Sequence, residues 1–324
     1  MVKQRVLLLG ATGNTGESIL NGLLEHGAYE VQILVRPSSA EKPEVKKIAE
    51  RGVKVVIADI NGPTEELVSI QTGVDVTISA IDAMSQLAQM NLATAAKKAG
   101  VKRFVPCAWT TVAPAGGVMV LRDHKEEVYN HIKRLYLPYT VIDVGFWHQI
   151  SFPTSVPSRR FDYAVLMPQN TVHGDGEQPT IISDLRDLGR WTARIIEDER
   201  TLNKYVFTCS DVLSENQIST IVEEMAGEKP ERKQVSYEEV EAAKHEARIK
   251  TENEPDNFMN RIRRFEADYH YSKYVRGDNQ PEYAKYLGYL DARELYPDFR
   301  PITFREFMKD LLDGKIQKPR FNFA

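Results

Sequence analysis

The chain has 324 residues, 42% apolar and 27% charged, with a formal net charge of −4, a balance that fits a soluble globular protein and excludes fibrous, disordered and membrane-spanning classes. So small a negative charge gives no general attraction to nucleic acid or anionic lipid, and an anionic ligand has to be held by a local cluster of cations. Cys107 and Cys209 are too few for a disulfide framework or a cysteine metal site; they fit a reducing compartment, with the cytosol as the expectation.

From the start to about Gly145, short Val- and Ile-rich runs alternate with segments of helical period. Val6–Leu9, Val31–Val35, Val53–Ala58, Val74–Ala80, Arg103–Cys107 and Tyr139–Val144 read as buried parallel strands. Helices are predicted over Thr15–His26, Lys42–Arg51, Thr64–Gln71, Ser85–Ala99 and Arg122–Leu135, several ended by Gly27, Gly52, Gly73 or Gly100. The alternation implies right-handed crossovers and an α/β, Rossmann-type doubly wound parallel sheet over residues 1–150. Pro153, Pro157, Pro168 and the Gly174-Asp175-Gly176 turn mark the change to a second, smaller α/β substrate domain over 151–324. Within 175–210, the strand and helix of Ile181–Asp198 and the strand Tyr205–Cys209 are expected to return to the first sheet. Ser214–Met225 and Tyr237–Ile249 read as amphipathic helices. In Lys250–Leu290, Arg261, Arg263 and Arg264 interleave with tyrosines, but Glu252, Glu254, Asp256, Glu266 and Asp268 cancel their field. Solvated helix faces with tyrosine packing are therefore expected rather than a nucleic-acid surface. No apolar run has the length of a membrane span.

Gly10-Ala11-Thr12-Gly13-Asn14-Thr15-Gly16 stands between the first strand and the first helix. In that context Gly10, Gly13 and Gly16 serve a tight turn, close approach of a phosphate to backbone, and packing of helix on sheet. The helix N–H groups and dipole then face the pyrophosphate of a dinucleotide, with Thr12, Asn14 and Thr15 as further donors. An NAD-preferring unit carries an acid at the end of its second strand, where this chain reads Val35-Arg36-Pro37. A guanidinium there forms charge-assisted bonds to a 2′-phosphate, so NADPH is favoured, with Ser38 and Lys46 completing the phosphate pocket. Asp59 and the Ser79-Ala80-Ile81 turn stand where such a sheet lines adenosine; helix capping and packing are equally open readings for them. Phe146, Trp147 and His148 follow the sixth strand at the carboxyl edge, where Phe146 and Trp147 are candidates to wall an aromatic substrate and His148 a candidate proton relay. Packing is the other reading of the two aromatics. The histidines show no ligand spacing, so no metal is inferred.

Lys125, on spacing alone, is a solvent-facing lysine of the helix before the sixth strand. Several runs change that reading: Gly-Ala-Thr-Gly-Asn-Thr-Gly at Gly10, Val-Arg-Pro at Val35, Val-Lys-Arg-Phe-Val-Pro at Val101 and Leu-Pro-Tyr-Thr at Leu137. Gly-Asp-Gly at Gly174, Arg-Thr-Leu-Asn-Lys at Arg200 and Leu-Tyr-Pro-Asp at Leu295 continue the series. In order and spacing the chain resembles the NmrA-like, isoflavone reductase-like group of atypical short-chain dehydrogenases, in its fungal branch. The resemblance implies an NADPH-dependent reductase of aromatic, phenolic or conjugated small molecules in secondary metabolism, with Lys125 as general acid or base. Tyr129 and Lys133 have the spacing of a Tyr-x-x-x-Lys pair but lie on the wrong side of Lys125. Pro106-Cys107-Ala108-Trp109-Thr110 departs from the Pro-Ser-Glu-Phe-Gly of the plant reductases, so their substrates do not transfer. Two alternatives share the motifs: an NADP(H)-binding redox sensor without turnover, and a carbon–oxygen-cleaving synthase of phenylpropenes. A homodimer is kept as an expectation; no nucleic-acid or membrane partner is expected.

Overall fold

The computed structural model describes residues 3–165 and 167–320. It begins with β1 (Gln4–Leu9), α1 (Asn14–His26), β2 (Tyr29–Val35), α2 (Pro43–Glu50), β3 (Lys54–Ile57), α3 (Thr64–Gln71), β4 (Val76–Ser79) and α4 (Gln89–Ala99). β5 (Arg103–Val105), α5 (Val120–Arg134), β6 (Thr140–Asp143), β7 (Phe146–Trp147), β8 (Thr171–His173), β9 (Thr180–Ser183), α6 (Asp187–Glu197) and β10 (Lys204–Phe207) follow. The remainder comprises β11 (Asp211–Leu213), α7 (Glu215–Ala226), β12 (Lys233–Val235), α8 (Tyr237–Asn253), α9 (Phe258–His270), α10 (Pro281–Tyr286), β13 (Leu290–Asp291), α11 (Ala292–Leu295) and α12 (Phe304–Leu312). Among the described residues no helix is long and apolar enough to cross a membrane.

Two compact units emerge. The first comprises the residues up to Trp109, His124–Asp143 and Leu185–Thr208; the second comprises Thr110–Asp123, Val144–Asp184 and the residues from Cys209 onward. The sequence suggests one change of domain near residue 150, whereas the observed units interleave, because α6 and β10 pack with the amino-terminal elements while residues 110–123 and 144–150 pack with the later ones.

In the first unit β3-β2-β1-β4-β5 form a wholly parallel sheet. A parallel bridge between Phe104 and Tyr139 carries it towards β6, and β10 pairs in parallel with β6. This is the doubly wound, Rossmann-type α/β arrangement, and Tyr205–Phe207 joins it as expected. Its strands are apolar on both faces because helices cover both, and Leu7, Leu9, Leu92, Phe104, Val128 and Val141 share one buried cluster. Of the expected Ile181–Asp198 pair only the helix returns: β9 lies in the second unit. α6 and α1 approach almost backbone to backbone at Gly22 and Gly189, whose N–H donates to Ser18 Oγ at 3.0 Å. A Cβ on Gly189 would lie 1.8 Å from the Ser18 carbonyl oxygen. Gly189→Ala is therefore expected to destabilise the protein by at least about 1–3 kcal/mol, read as a lower urea midpoint; an unchanged midpoint would contradict the crossing.

In the second unit β7, β9 and β11 form one small sheet, and β8 pairs in parallel with β12. Phe152, Phe161, Ile182, Val222, Phe304 and Phe307 belong to its core. α7 and α8 each start with a complete capping box, Ser214 with Gln217 and Ser236 with Glu239, which satisfies the first N–H groups of both helices.

Candidate active site

The glycine loop divides its labour as the pattern suggests. Gly10 takes φ +77°, and a Cβ on it would lie 2.1 Å from the carbonyl oxygen of Ala80. A Cβ on Gly16 would lie 2.0 Å from the Gly10 carbonyl oxygen. Both glycines are thus required by the protein's own packing. Gly13 is not: it is exposed, and a Cβ there would meet only Gly10 O, at 3.4 Å. It caps α1 without any side-chain hydrogen bond to the helix start. An exposed glycine with room around it, in front of a helix start with no side-chain cap, suits the close approach of a phosphate. Thr12, Asn14 and Thr15 stand half-exposed around it.

The β4 turn forms one wall of this loop. Ala80 N–H donates to Leu9 O at 3.1 Å, so Ala80 and Ile81 lie directly against Gly10 as backbone. The Ser79 side chain is fully buried, and its carbonyl accepts the Trp109 indole N–H at 2.7 Å. Arg36 ends β2 with an exposed guanidinium that makes no hydrogen bond or ion pair among the described residues; Ser38 is exposed in the short turn that follows. Lys46 is paired with Glu41 at 2.9 Å, so a phosphate would have to compete with that carboxylate for it. Asp59 Oδ1 accepts the backbone and side-chain N–H groups of Asn61 at 2.9 and 3.2 Å, bonds that close a local turn, while the following helix α3 is preceded by Pro63 and has no side-chain cap.

Lys125 is where the spacing argument fails. It is 3% exposed, and its Nζ donates to Cys107 O at 2.7 Å and to Gln86 Oε1 at 3.2 Å. Gln89 Oε1 accepts the Cys107 N–H at 2.8 Å, and its amide donates to Gln86 O at 3.0 Å. Two buried glutamines thus clamp the segment beyond β5 and orient the amine. Sequence reasoning missed both, although Gln86 and Gln89 are three apart at the entry to α4, on a face that is otherwise apolar. Trp109 adopts φ +47°, a strained backbone for a bulky residue, held by its indole bond and by its N–H to Ile142 O at 3.0 Å. Tyr129 is buried in the first unit's core and Lys133 is exposed, donating to Tyr205 Oη at 3.0 Å; the pair is not assembled as a catalytic dyad.

In the second unit His148, the candidate proton relay, lies inside the protein. The ring is fully buried, edge-on to Phe304 at 5.5 Å and tilted on Phe307 at 5.7 Å. Asp184 and Asp211 stand beyond hydrogen-bond distance, at 3.7 and 3.9 Å. His148 is a core residue, because the short turn after β7 directs it inward. Trp147 pairs with Ser183 in the sheet and is half-buried. Phe146 is half-buried too, but its ring is covered: Lys273 Nζ sits 3.3 Å from the ring centroid, and Tyr269 lies at 6.2 Å. Lys273 is 1% exposed, and burial pushes its amine down from 10.5 to about 7, with the Glu215 carboxylate opposing. Nothing in the local sequence singles it out from the other basic residues around it. Among the described residues no cluster of His, Cys, Asp and Glu could hold a metal.

The profile of the NmrA-like family matches residues 2–308. The asnovolin J 5′,6′-dehydrogenase of Aspergillus novofumigatus is 44% identical over 313 residues, 95% of each chain. An isoflavone reductase homologue of Arabidopsis thaliana is 28% identical over 94% of this chain and 97% of its own. Among solved structures, the leucoanthocyanidin reductase–NADPH complex of Vitis vinifera superposes with a TM-score of 0.79 at 22% identity, over 95% of this chain and 99% of that one. The likeness to that structure establishes the fold.

Proposed function

Because the chain belongs to the NmrA-like family, we propose that it is an NADPH-dependent oxidoreductase that exchanges a hydride with an aromatic, phenolic or conjugated small molecule, with Lys125 as general acid–base. The observation that carries this reading is the burial of Lys125 against Cys107 beyond β5, in the unit that holds the glycine loop. A lysine that served only solubility would stay in water; taking its amine out of water is unfavourable unless hydrogen bonds compensate, as those to Cys107 O and Gln86 Oε1 do, and such built polar sites concentrate at functional centres. Relatives named as a dehydrogenase and as reductases share hydride transfer, and so the class does not depend on the direction in which the reaction runs.

Gly13 and the start of α1 would hold the pyrophosphate, and the free guanidinium of Arg36 the 2′-phosphate. NADPH supplies the hydride when bound. The protein's part is to orient both reactants and to manage the proton: Gln86 and Cys107 O hold the Lys125 amine in place, from which it gives a proton to a developing oxyanion or takes one from a phenol. The fungal relative, named for the dehydrogenation of asnovolin J, supports an organic small-molecule substrate.

Titration with NADPH and NADH tests the cofactor half. The intact protein is expected to favour NADPH, and Arg36→Ala to lose roughly 10–100-fold in NADPH affinity with little change for NADH, the size of a charged hydrogen-bonded contact. Equal affinity for both in the intact protein would refute the assignment. A redox sensor would bind NADPH equally well but consume none with any aromatic, quinone or enone acceptor.

A further inference from the structure

The segment that follows β5 is fixed residue by residue. Ala108 N–H donates to Pro106 O at 2.8 Å, closing a three-residue turn centred on Cys107. The turn takes the Cys107 carbonyl out of line with the strand, and this oxygen accepts the Lys125 amine at 2.7 Å. Gln89 serves both acceptors of that amine: its Oε1 receives the Cys107 N–H at 2.8 Å, and its Nε2 donates to Gln86 Oε1 at 3.2 Å. Two residues beyond Cys107, Trp109 takes φ +47°, a conformation that bulky side chains rarely adopt and that clusters at active sites. Glycine would adopt it without strain; what tryptophan adds is an indole N–H, which donates to Ser79 O at 2.7 Å while the backbone N–H donates to Ile142 O at 3.0 Å. Ser79 ends β4, and the carbonyl oxygen of the next residue, Ala80, lies so close to Gly10 that a Cβ there would stand 2.1 Å from it. Contacts and chain thus run from Gly10 through Ala80, Ser79, Trp109 and Cys107 to Lys125 without leaving the first unit.

We propose that Trp109 and Gln89 are positioning residues for the proton step: together they fix the Cys107 carbonyl, and through it the Lys125 amine, at a set distance from the glycine loop. The proposal rests on the reading of Lys125 as the general acid–base group. Neither residue handles the proton itself. A carbonyl is a directional acceptor, so a shift of the peptide that carries it moves the amine as well, and a general acid–base group works only within hydrogen-bond reach of the atom it serves. The dinucleotide would be held at the glycine loop and the amine is held at Cys107; the bond from the Trp109 indole to Ser79 O joins those two supports. Gln89 fixes the same segment from the opposite side, at the Cys107 N–H, and keeps Gln86 Oε1 turned to the amine. Preorganisation of this kind places a reacting group before the substrate arrives.

The test uses the full chain. Trp109→Phe keeps a ring and removes the indole N–H, and Gln89→Met keeps the length of the side chain and removes its donor and acceptor. Each variant is expected to lower kcat by about 10–100-fold, the size of effect that follows a misplacement near 1 Å, with the KM for NADPH unchanged. In a Lys125→Ala background the same substitutions should cost nothing further, because residues that act as a unit are not additive. A purely structural role would lower stability in both backgrounds alike and leave kcat per folded molecule intact. The amine itself is read by NMR on protein carrying isotope-labelled lysine, in which the Lys125 Cε signal is identified by its absence from Lys125→Ala. Either variant should shift that signal while NADPH binding, followed by nicotinamide fluorescence, is retained as proof of folding. A Lys125 signal unmoved in both variants, an unchanged kcat, or an equal loss in the Lys125→Ala background would each overturn the proposal. Where one variant loses NADPH binding, and with it the fold, the other decides. An intact protein that consumes no NADPH with any acceptor sinks the reductase reading alone, and the Lys125 signal then decides whether the two residues position the amine.

Discussion

Lys125→Ala is expected to lower NADPH-coupled turnover by about 10²–10⁴-fold, the usual contribution of a positioned general acid–base group, while NADPH affinity stays within a small factor. The separation follows from the geometry. The residues proposed to hold the phosphates, Gly13 and Arg36, follow β1 and β2, whereas Lys125 is anchored beyond β5 by Cys107 O at 2.7 Å and Gln86 Oε1 at 3.2 Å. Lys125→Arg is not expected to rescue the rate, because a guanidinium stays protonated and does not fit a site shaped for a primary amine. Gln86→Leu, which removes one anchor and leaves the amine, should fall between the two. The readout is NADPH absorbance with phenolic, quinone and enone acceptors, and a Lys125→Ala rate equal to that of the intact protein would remove the proton donor from the mechanism.

Stability should rise steeply with pH above neutrality. Lys273 titrates at about 7 in the folded protein and at its ordinary 10.5 when unfolded, so between those values the unfolded chain holds a proton that the native state has released. Unfolding free energy therefore increases as pH rises from about 7 towards 10.5, and below 7 the full penalty of burying an ammonium is felt. At 1.36 kcal/mol per pH unit the span amounts to at most about 5 kcal/mol. His270, held well below 6.5 chiefly by burial and then by His173 and Lys273, acts in the same direction at lower pH: the unfolded state binds its proton first, and acid favours unfolding. Urea midpoints at about pH 6 and about pH 9 should differ more in the intact protein than in Lys273→Met, which should be the more stable of the two at the lower pH. Equal slopes would show that the amine is not neutral in the folded state.

The chemistry that was legible in the sequence is local. A glycine loop between an apolar strand and an amphipathic helix, an arginine closing the second strand, and the alternation of period 2 with period 3.6 are written within a few residues each. They carried over into the parallel sheet and the α1 turn. Asp59 and the Ser79–Ile81 turn had two open readings, and the contacts give Asp59 a turn-closing bond to Asn61 and the Ala80–Ile81 backbone a place against Gly10. The burial of His148 was not legible, because its position after a strand at the carboxyl edge does not say which way a two-residue strand and a short turn will point the ring.

By itself, then, the sequence determined the dinucleotide-binding architecture and, through Arg36, the charge offered at the end of β2, since spacing, turn geometry and side-chain charge are properties of short segments. Only the tertiary structure decided which polar groups leave water. The burial of Lys125 by Gln86 and Cys107, and of Lys273 by Phe146, comes from residues 18 to 127 positions apart in the chain. Desolvation, which pushes the Lys273 amine down to about 7, is a property of assembled neighbours and of no single segment.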